Sequence, residues 1–120
     1  NYDPSHLIRM GIDPIIFLRE FAERVYHVHG KDTEVDVEAI YEFGTEQARA
    51  LSKSPAFGGA FWRYTIPGHG TTAWNSVFKI LNDAGYAGAV CIELEDANFN
   101  GTEEGQKAGI LAGANFLASC

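Results

Sequence analysis

The sequence predicts an α/β chain of about three parallel β/α units. Three observations carry this. Short β-rich runs, VYHVH at 25–29 and AGAVCIEL at 87–94, are separated by segments with apolar residues at helical spacing. Helix-start and helix-stop residues punctuate those segments. Acid–imidazole clusters follow the strands: DPSH at 3–6, HVHGKD at 27–32 and CIELED at 91–96. The order reads strand stub, helix, strand, irregular segment, helix, strand, helix. Parallel strands need such crossovers and collect loop chemistry at their C-terminal ends.

The elements follow in order. The chain begins where a first strand should be ending, at Tyr2 and Asp3. Asp13 followed by Pro14 is a helix start, an Asp cap with Pro at the first helical position. Phe17, Leu18 and Phe21 then share a face. Residues 25–29 read as a strand that leaves through HGKD. In the irregular segment, 34–44 reads as a short helix ended by Gly44, and EQARALSKS at 46–54 as a further turn or two of helix before Pro55. AFGGAF leads into WRYTIPGHG at 62–70, read as a loop. Thr71 or Thr72 is expected to cap a helix carrying Trp74, Val77, Phe78 and Leu81, with Gly85 ending it. AGAVCIEL reads as a buried parallel strand. The last helix is expected from Thr102, with Glu103 and Glu104 at its positive end and an apolar stripe of Ile110, Leu111, Ala114 and Leu117. Its glycines, Gly105, Gly109 and Gly113, cost helix stability and permit close packing.

A length of 120 residues allows one domain with a moderate core. It is well short of the roughly 250 residues of a closed (β/α)8 barrel. Nine basic against sixteen acidic residues leave a net charge of −7, which disfavours a nucleic-acid partner. Cys91 and Cys120 have no metal-ligand spacing and make no disulfide framework, so a reducing, cytoplasmic compartment is expected; Cys91 is expected to pack in the core. No apolar run reaches the ~18 residues of a membrane span, and NYDPSHL lacks the features of a secretory leader.

Asp3, His29 and Glu93 would stand at the ends of successive parallel strands. Carboxylates and imidazole suit one divalent ion: Mn2+ or Zn2+ first, with Co2+, Fe2+ or Mg2+ as further options. Each residue also has a plainer reading. Asp3 in Asp-Pro-Ser is a turn cap. His29 is a satisfied core or loop histidine. Glu93 is the most telling, because a carboxylate on a buried strand needs a partner. Lys31 and Asp32 read equally as a solvated lysine and a turn acid. Arg63, between Trp62 and Tyr64, reads as an exposed arginine packed on aromatics.

NYDPSHL, HVHGKD, WRYTIPGHG, GYAGAVCIELED and TEEGQKAG together resemble the xylose-isomerase-like superfamily of sugar isomerases and epimerases, which also includes endonuclease IV. The resemblance covers most of the chain outside 33–58. It implies a partial TIM barrel, about three β/α units from the C-terminal part of a (β/α)8 barrel. It further implies Asp3, His29 and Glu93 as metal ligands, and His6 of the D-x-x-H pattern as a substrate-contacting or supporting residue. Glu93 and His6 would be the catalytic pair within this chain. Lys31, Arg63 and Glu95 would join His6 in holding substrate. A second carboxylate base would lie on an earlier strand.

The implied chemistry is isomerisation or epimerisation of a sugar or sugar phosphate through an enediolate. An inosose-type dehydratase would use related logic. An endonuclease IV-like hydrolase is the third reading, but Trp62, Arg63 and Tyr64 stand where that enzyme has an Asp-Arg-His metal-binding run. A non-catalytic fragment is the competing class. An open segment exposes strand edges and inner surface, so self-association is expected.

Overall fold

A computed structural model describes residues 1–46 and 54–120. The further helical turns expected at 46–54 fall largely on 47–53, outside the described residues. Among the described residues the helices are α1 (Pro4–Arg9), α2 (Pro14–Phe21), α3 (Val37–Phe43), α4 (Trp74–Asp83) and α5 (Glu103–Ala118). The strands are β1 (Val28–Gly30), β2 (Asp32–Val35), β3 (Trp62–Thr65) and β4 (Val90–Ile92).

They form two small sheets, not a closed barrel. In the first, β1 runs parallel to β4 with His29 opposite Cys91. Tyr2 makes a parallel bridge to Val28 on the other side of β1. Its N–H donates to the His27 carbonyl at 2.8 Å, and its carbonyl accepts from His29 N–H at 2.9 Å. The strand stub is therefore real. The strand read at 25–29 starts only at Val28, because Ala22–Arg24 form a 3-10 turn after α2.

The second sheet departs from the all-parallel expectation. β2 and β3 pair antiparallel, with Glu34 opposite Arg63 and Thr33 opposite Tyr64. WRYT is thus a strand and not a loop. Its aromatic and β-branched residues suit a pleated surface, and the opposed charges of Glu34 and Arg63 favour this register.

The core lies between the parallel sheet and helices α2 and α4. Tyr2, Leu18, Val28, Trp74, Val77 and Leu81 are buried and pack together. Full burial of an aliphatic side chain such as Leu18, Val28 or Leu81 stabilises by roughly 1.5–3 kcal/mol. Helix starts follow the predicted chemistry in α2, where Asp13 accepts from Ile15 N–H and Ile16 N–H at 2.8 and 3.0 Å, and in α5, where Thr102 accepts from Gly105 N–H at 3.0 Å. The α4 cap is different. Ala73 holds that position without a side-chain bond, because the Thr72 hydroxyl donates to Asp32 Oδ1 at 2.6 Å.

Two burial expectations are corrected. Cys91 is exposed, and β4 as a whole is only partly buried, since the face carrying Cys91 has no apolar layer against it among the described residues. In α5, Ile110 and Leu111 are exposed while Gly109 and Gly113 are buried. The helix docks through these glycines and through Leu117, the one residue of the expected stripe that packs against the core. A Cβ on Gly109 would come within 2.9 Å of the Phe99 side chain, and one on Gly113 within 3.0 Å of Pro67.

Candidate metal centre

The D-x-x-H pattern folds as a capped helix start. Asp3 precedes Pro4, and its Oδ1 accepts from the Ser5 N–H at 3.0 Å and the Ser5 hydroxyl at 2.5 Å. That leaves Oδ2 for other partners. It lies 3.4 Å from His6 Nε2, 3.3 Å from His29 Nδ1 and 3.4 Å from Lys31 Nζ. The two readings of Asp3 are thus compatible, one oxygen for the cap and the other for the cluster.

β1 and β4 bring the remaining groups together. His29, in β1, sets its Nδ1 3.0 Å from Glu93 Oε2, just past the end of β4. Lys31 is the single residue between β1 and β2. Its Nζ donates to Glu93 Oε2 at 2.5 Å and to Glu95 Oε2 at 2.9 Å. It also lies 3.4 Å from His6 Nε2 and 4.5 Å from the centroid of the Tyr64 ring. Lys31 is 1% exposed, so the solvated-lysine reading is wrong. Burial works against its charge, but hydrogen bonds to Glu93 and Glu95 and the nearby Asp3 carboxylate outweigh it and hold its pKa above the ordinary lysine value.

Asp3, His6 and Glu93 each offer a ligand atom, all within 4.8 Å of one another. This oxygen–nitrogen–oxygen donor set fits one divalent ion of the Mn2+, Zn2+ or Co2+ kind, and Mg2+ with more water in its shell. The cradle already gathers a cation, since the Lys31 ammonium sits among three carboxylates. His6 thus joins Asp3 and Glu93 in this candidate group, where the sequence reading expects His29. His29 touches the same two carboxylates from the strand side.

Tyr64 is the site residue that sequence reasoning missed. Its hydroxyl is 2.7 Å from His6 Nδ1, and the two rings meet edge to face at 5.3 Å. Burial, the largest influence, raises its pKa; the charges of Arg9 and Lys31 oppose that. Arg63 is drawn away from the cluster. Its Nε donates to Glu34 Oε2 at 2.5 Å and its Nη1 to Asp96 Oδ1 at 3.4 Å. The arginine over the Trp62 ring is Arg9, at 5.3 Å.

Asp32 was read as a turn or ion-pair residue and proves to be a buried hub. Its carboxylate accepts from Thr33 N–H, Gly68 N–H, Thr72 N–H, the Thr72 hydroxyl and Trp74 Nε1 at 2.6–3.3 Å. The PGHG turn is thereby tied to β2. His69 within that turn is exposed and packs near Phe99, away from the cluster. A cavity of about 750 Å³ lies between α2 and α4 and is lined by Arg19, Glu23, Lys79 and Asp83 among others. It contains none of the cluster residues.

A family model described as a xylose isomerase-like TIM barrel matches residues 1–120. The chain belongs to the xylose isomerase-like TIM-barrel family. Relatives within reach include the uncharacterized protein YfiH of Bacillus subtilis (strain 168), 37% identical over 98 residues, covering 80% of this chain and 30% of YfiH. Inosose dehydratases of Clostridium beijerinckii and Clostridium tetani are 33% and 37% identical over 94 residues, each match covering 78% of this chain and 29% of the relative. The chain thus spans about 30% of the length of these curated relatives. The two small sheets are accordingly an incomplete form of the xylose isomerase-like barrel. No helix among the described residues is long and apolar enough to cross a membrane.

Proposed function

We propose that this chain is the C-terminal, roughly three-unit part of a metal-dependent sugar-processing barrel whose reaction is dehydration of a cyclic polyol ketone of the inosose type. The observation that carries this reading is the convergence of Asp3, His6 and Glu93 around Lys31. Several relatives carry the name inosose dehydratase, which favours dehydration over the isomerisation or epimerisation expected from sequence.

Asp3, His6 and Glu93, with His29 beside them, would hold the ion. When bound, a divalent ion polarises a carbonyl oxygen and steadies negative charge that develops there. Glu93 takes the proton from the carbon next to the ketone, and the electron pair moves into the enolate. The neighbouring C–O bond then breaks, and its hydroxyl leaves as water after taking a proton from Lys31, while His6 positions the ion. Glu95 and Lys31 hold the ring hydroxyls. Arg63 is reached only if substrate extends to the β2–β3 sheet.

Mass spectrometry of the product separates the readings. Incubation of the metal-loaded protein with an inosose is expected to remove one water; a product of unchanged mass would support isomerisation or epimerisation of the sugar instead. Calorimetric titration of metal-stripped protein with Mn2+ or Zn2+ tests the centre itself. One saturable site is expected, and Glu93→Gln should weaken it by more than about 100-fold, the upper range for losing merely an outer partner. A folded wild-type protein that binds no ion would sink the metal-enzyme reading.

A further inference from the structure

We propose that the Lys31 ammonium is a built-in counter-cation that limits this centre to a single divalent ion. The proposal rests on the metal-centre reading above and concerns a role that no ligand assignment gives Lys31.

The first support is charge balance. Asp3, Glu93 and Glu95 all lie within 3.4 Å of Lys31 Nζ. Three carboxylates and one ammonium leave two negative charges. One divalent ion brings that to zero. A second would leave an excess of positive charge beside Lys31 and Asp3, the two buried charges of the cluster.

The second support is position. Lys31 cannot easily withdraw. It occupies the corner where the chain passes from the parallel sheet to the antiparallel one, between Gly30 and Asp32, both buried. The backbone at Gly30 is closely packed, since a Cβ there would lie 2.9 Å from the Leu117 side chain and 3.0 Å from that of Ile92. Asp32 is held by its hydrogen bonds to the PGHG turn and α4. The ammonium thus sits 2.5 Å from Glu93 Oε2, so any further cation drawn to that oxygen meets it at close range. Like-charge repulsion there is strong.

Calorimetry with Zn2+ on metal-stripped full chain tests this, with Lys31→Met, Lys31→Arg and Glu95→Gln. The wild type and Lys31→Arg are expected to take up one ion. Lys31→Met is expected to bind the first ion at least about tenfold more tightly and to take up a second equivalent. One ion bound by Lys31→Met with unchanged or weaker affinity overturns the proposal while leaving the metal centre intact. Should Lys31→Met fail to fold, Glu95→Gln decides. Removing one negative charge outside the ligand group should weaken ion binding by at least about tenfold, and an unchanged affinity overturns the charge-balance argument. A wild type that binds no ion overturns the underlying metal-centre reading and this proposal with it.

Discussion

The two oxygens of Asp3 have separate tasks, and so do the two nitrogens of His6. Asp3 caps α1 with Oδ1 and faces the cluster with Oδ2. His6 meets Tyr64 through Nδ1 and faces Asp3 and Lys31 through Nε2. A partner on one ring nitrogen sets the orientation and tautomer of the other. Tyr64→Phe is therefore expected to weaken metal binding by roughly 10-fold without unfolding the protein, with a change in the His6 ring-nitrogen NMR shifts marking the altered tautomer. Asp3, His29 and Glu93 stood out in sequence because each lies in or just after a β-rich run or at a turn-forming Asp-Pro. Tyr64 was not, because it reaches His6 across 58 residues of chain through a strand that was read as a loop.

At the scale of elements, the β2–β3 sheet and the PGHG turn hang on one carboxylate. Asp32 satisfies donors from β2, from the turn and from the start of α4. Leaving buried donors without an acceptor costs about 1–3 kcal/mol each. Asp32→Ala should lower stability by at least about 3 kcal/mol, measured by urea unfolding, and a loss under about 1 kcal/mol would show that water replaces the carboxylate without penalty. Helices α2 to α5 were legible because capping residues and apolar spacing are local signals, whereas α1 was not, its Asp-Pro-Ser start reading equally as a turn. The docking face of α5 was not. Hydrophobic periodicity pointed to Ile110 and Leu111, whereas close approach of backbone to Phe99 and Pro67 selected Gly109 and Gly113.

For the whole molecule, the exposed apolar side chains matter most. Ile16 and Leu111 are each 63% exposed, and Tyr26 and Tyr41 more so. Such surface favours association when the rest of a barrel is not there to cover it. The isolated chain is expected to run larger than a monomer in light scattering, and Leu111→Glu to shift it toward monomer. A monodisperse folded monomer would count against self-association. Stability should also fall in alkali. Burial first, then the Asp3 and Asp13 charges, raise the Tyr2 pKa well above the ordinary tyrosine range. The unfolded chain therefore releases its protons first as pH rises. The contribution of Tyr2 is present below about pH 10 and is lost above it, with Lys31 acting in the same direction. Thermal unfolding from pH 8 to pH 12 should show a midpoint that drops above about pH 10, and less so in Tyr2→Phe.

Sequence alone determined the helical segments of α2 to α5, the strands β1 and β4, the helix starts at Asp13 and Thr102 and the acid–imidazole groups beside those strands, since all of these depend on residues a few positions apart. Tertiary structure alone decided which groups meet. It buried Lys31 among Asp3, Glu93 and Glu95, placed Tyr64 behind His6, turned Asp32 into a hub and tied Arg63 to Glu34 and Asp96. Those contacts span from 28 to 64 residues of chain, and no local pattern encodes a distance that only the pairing of sheets creates.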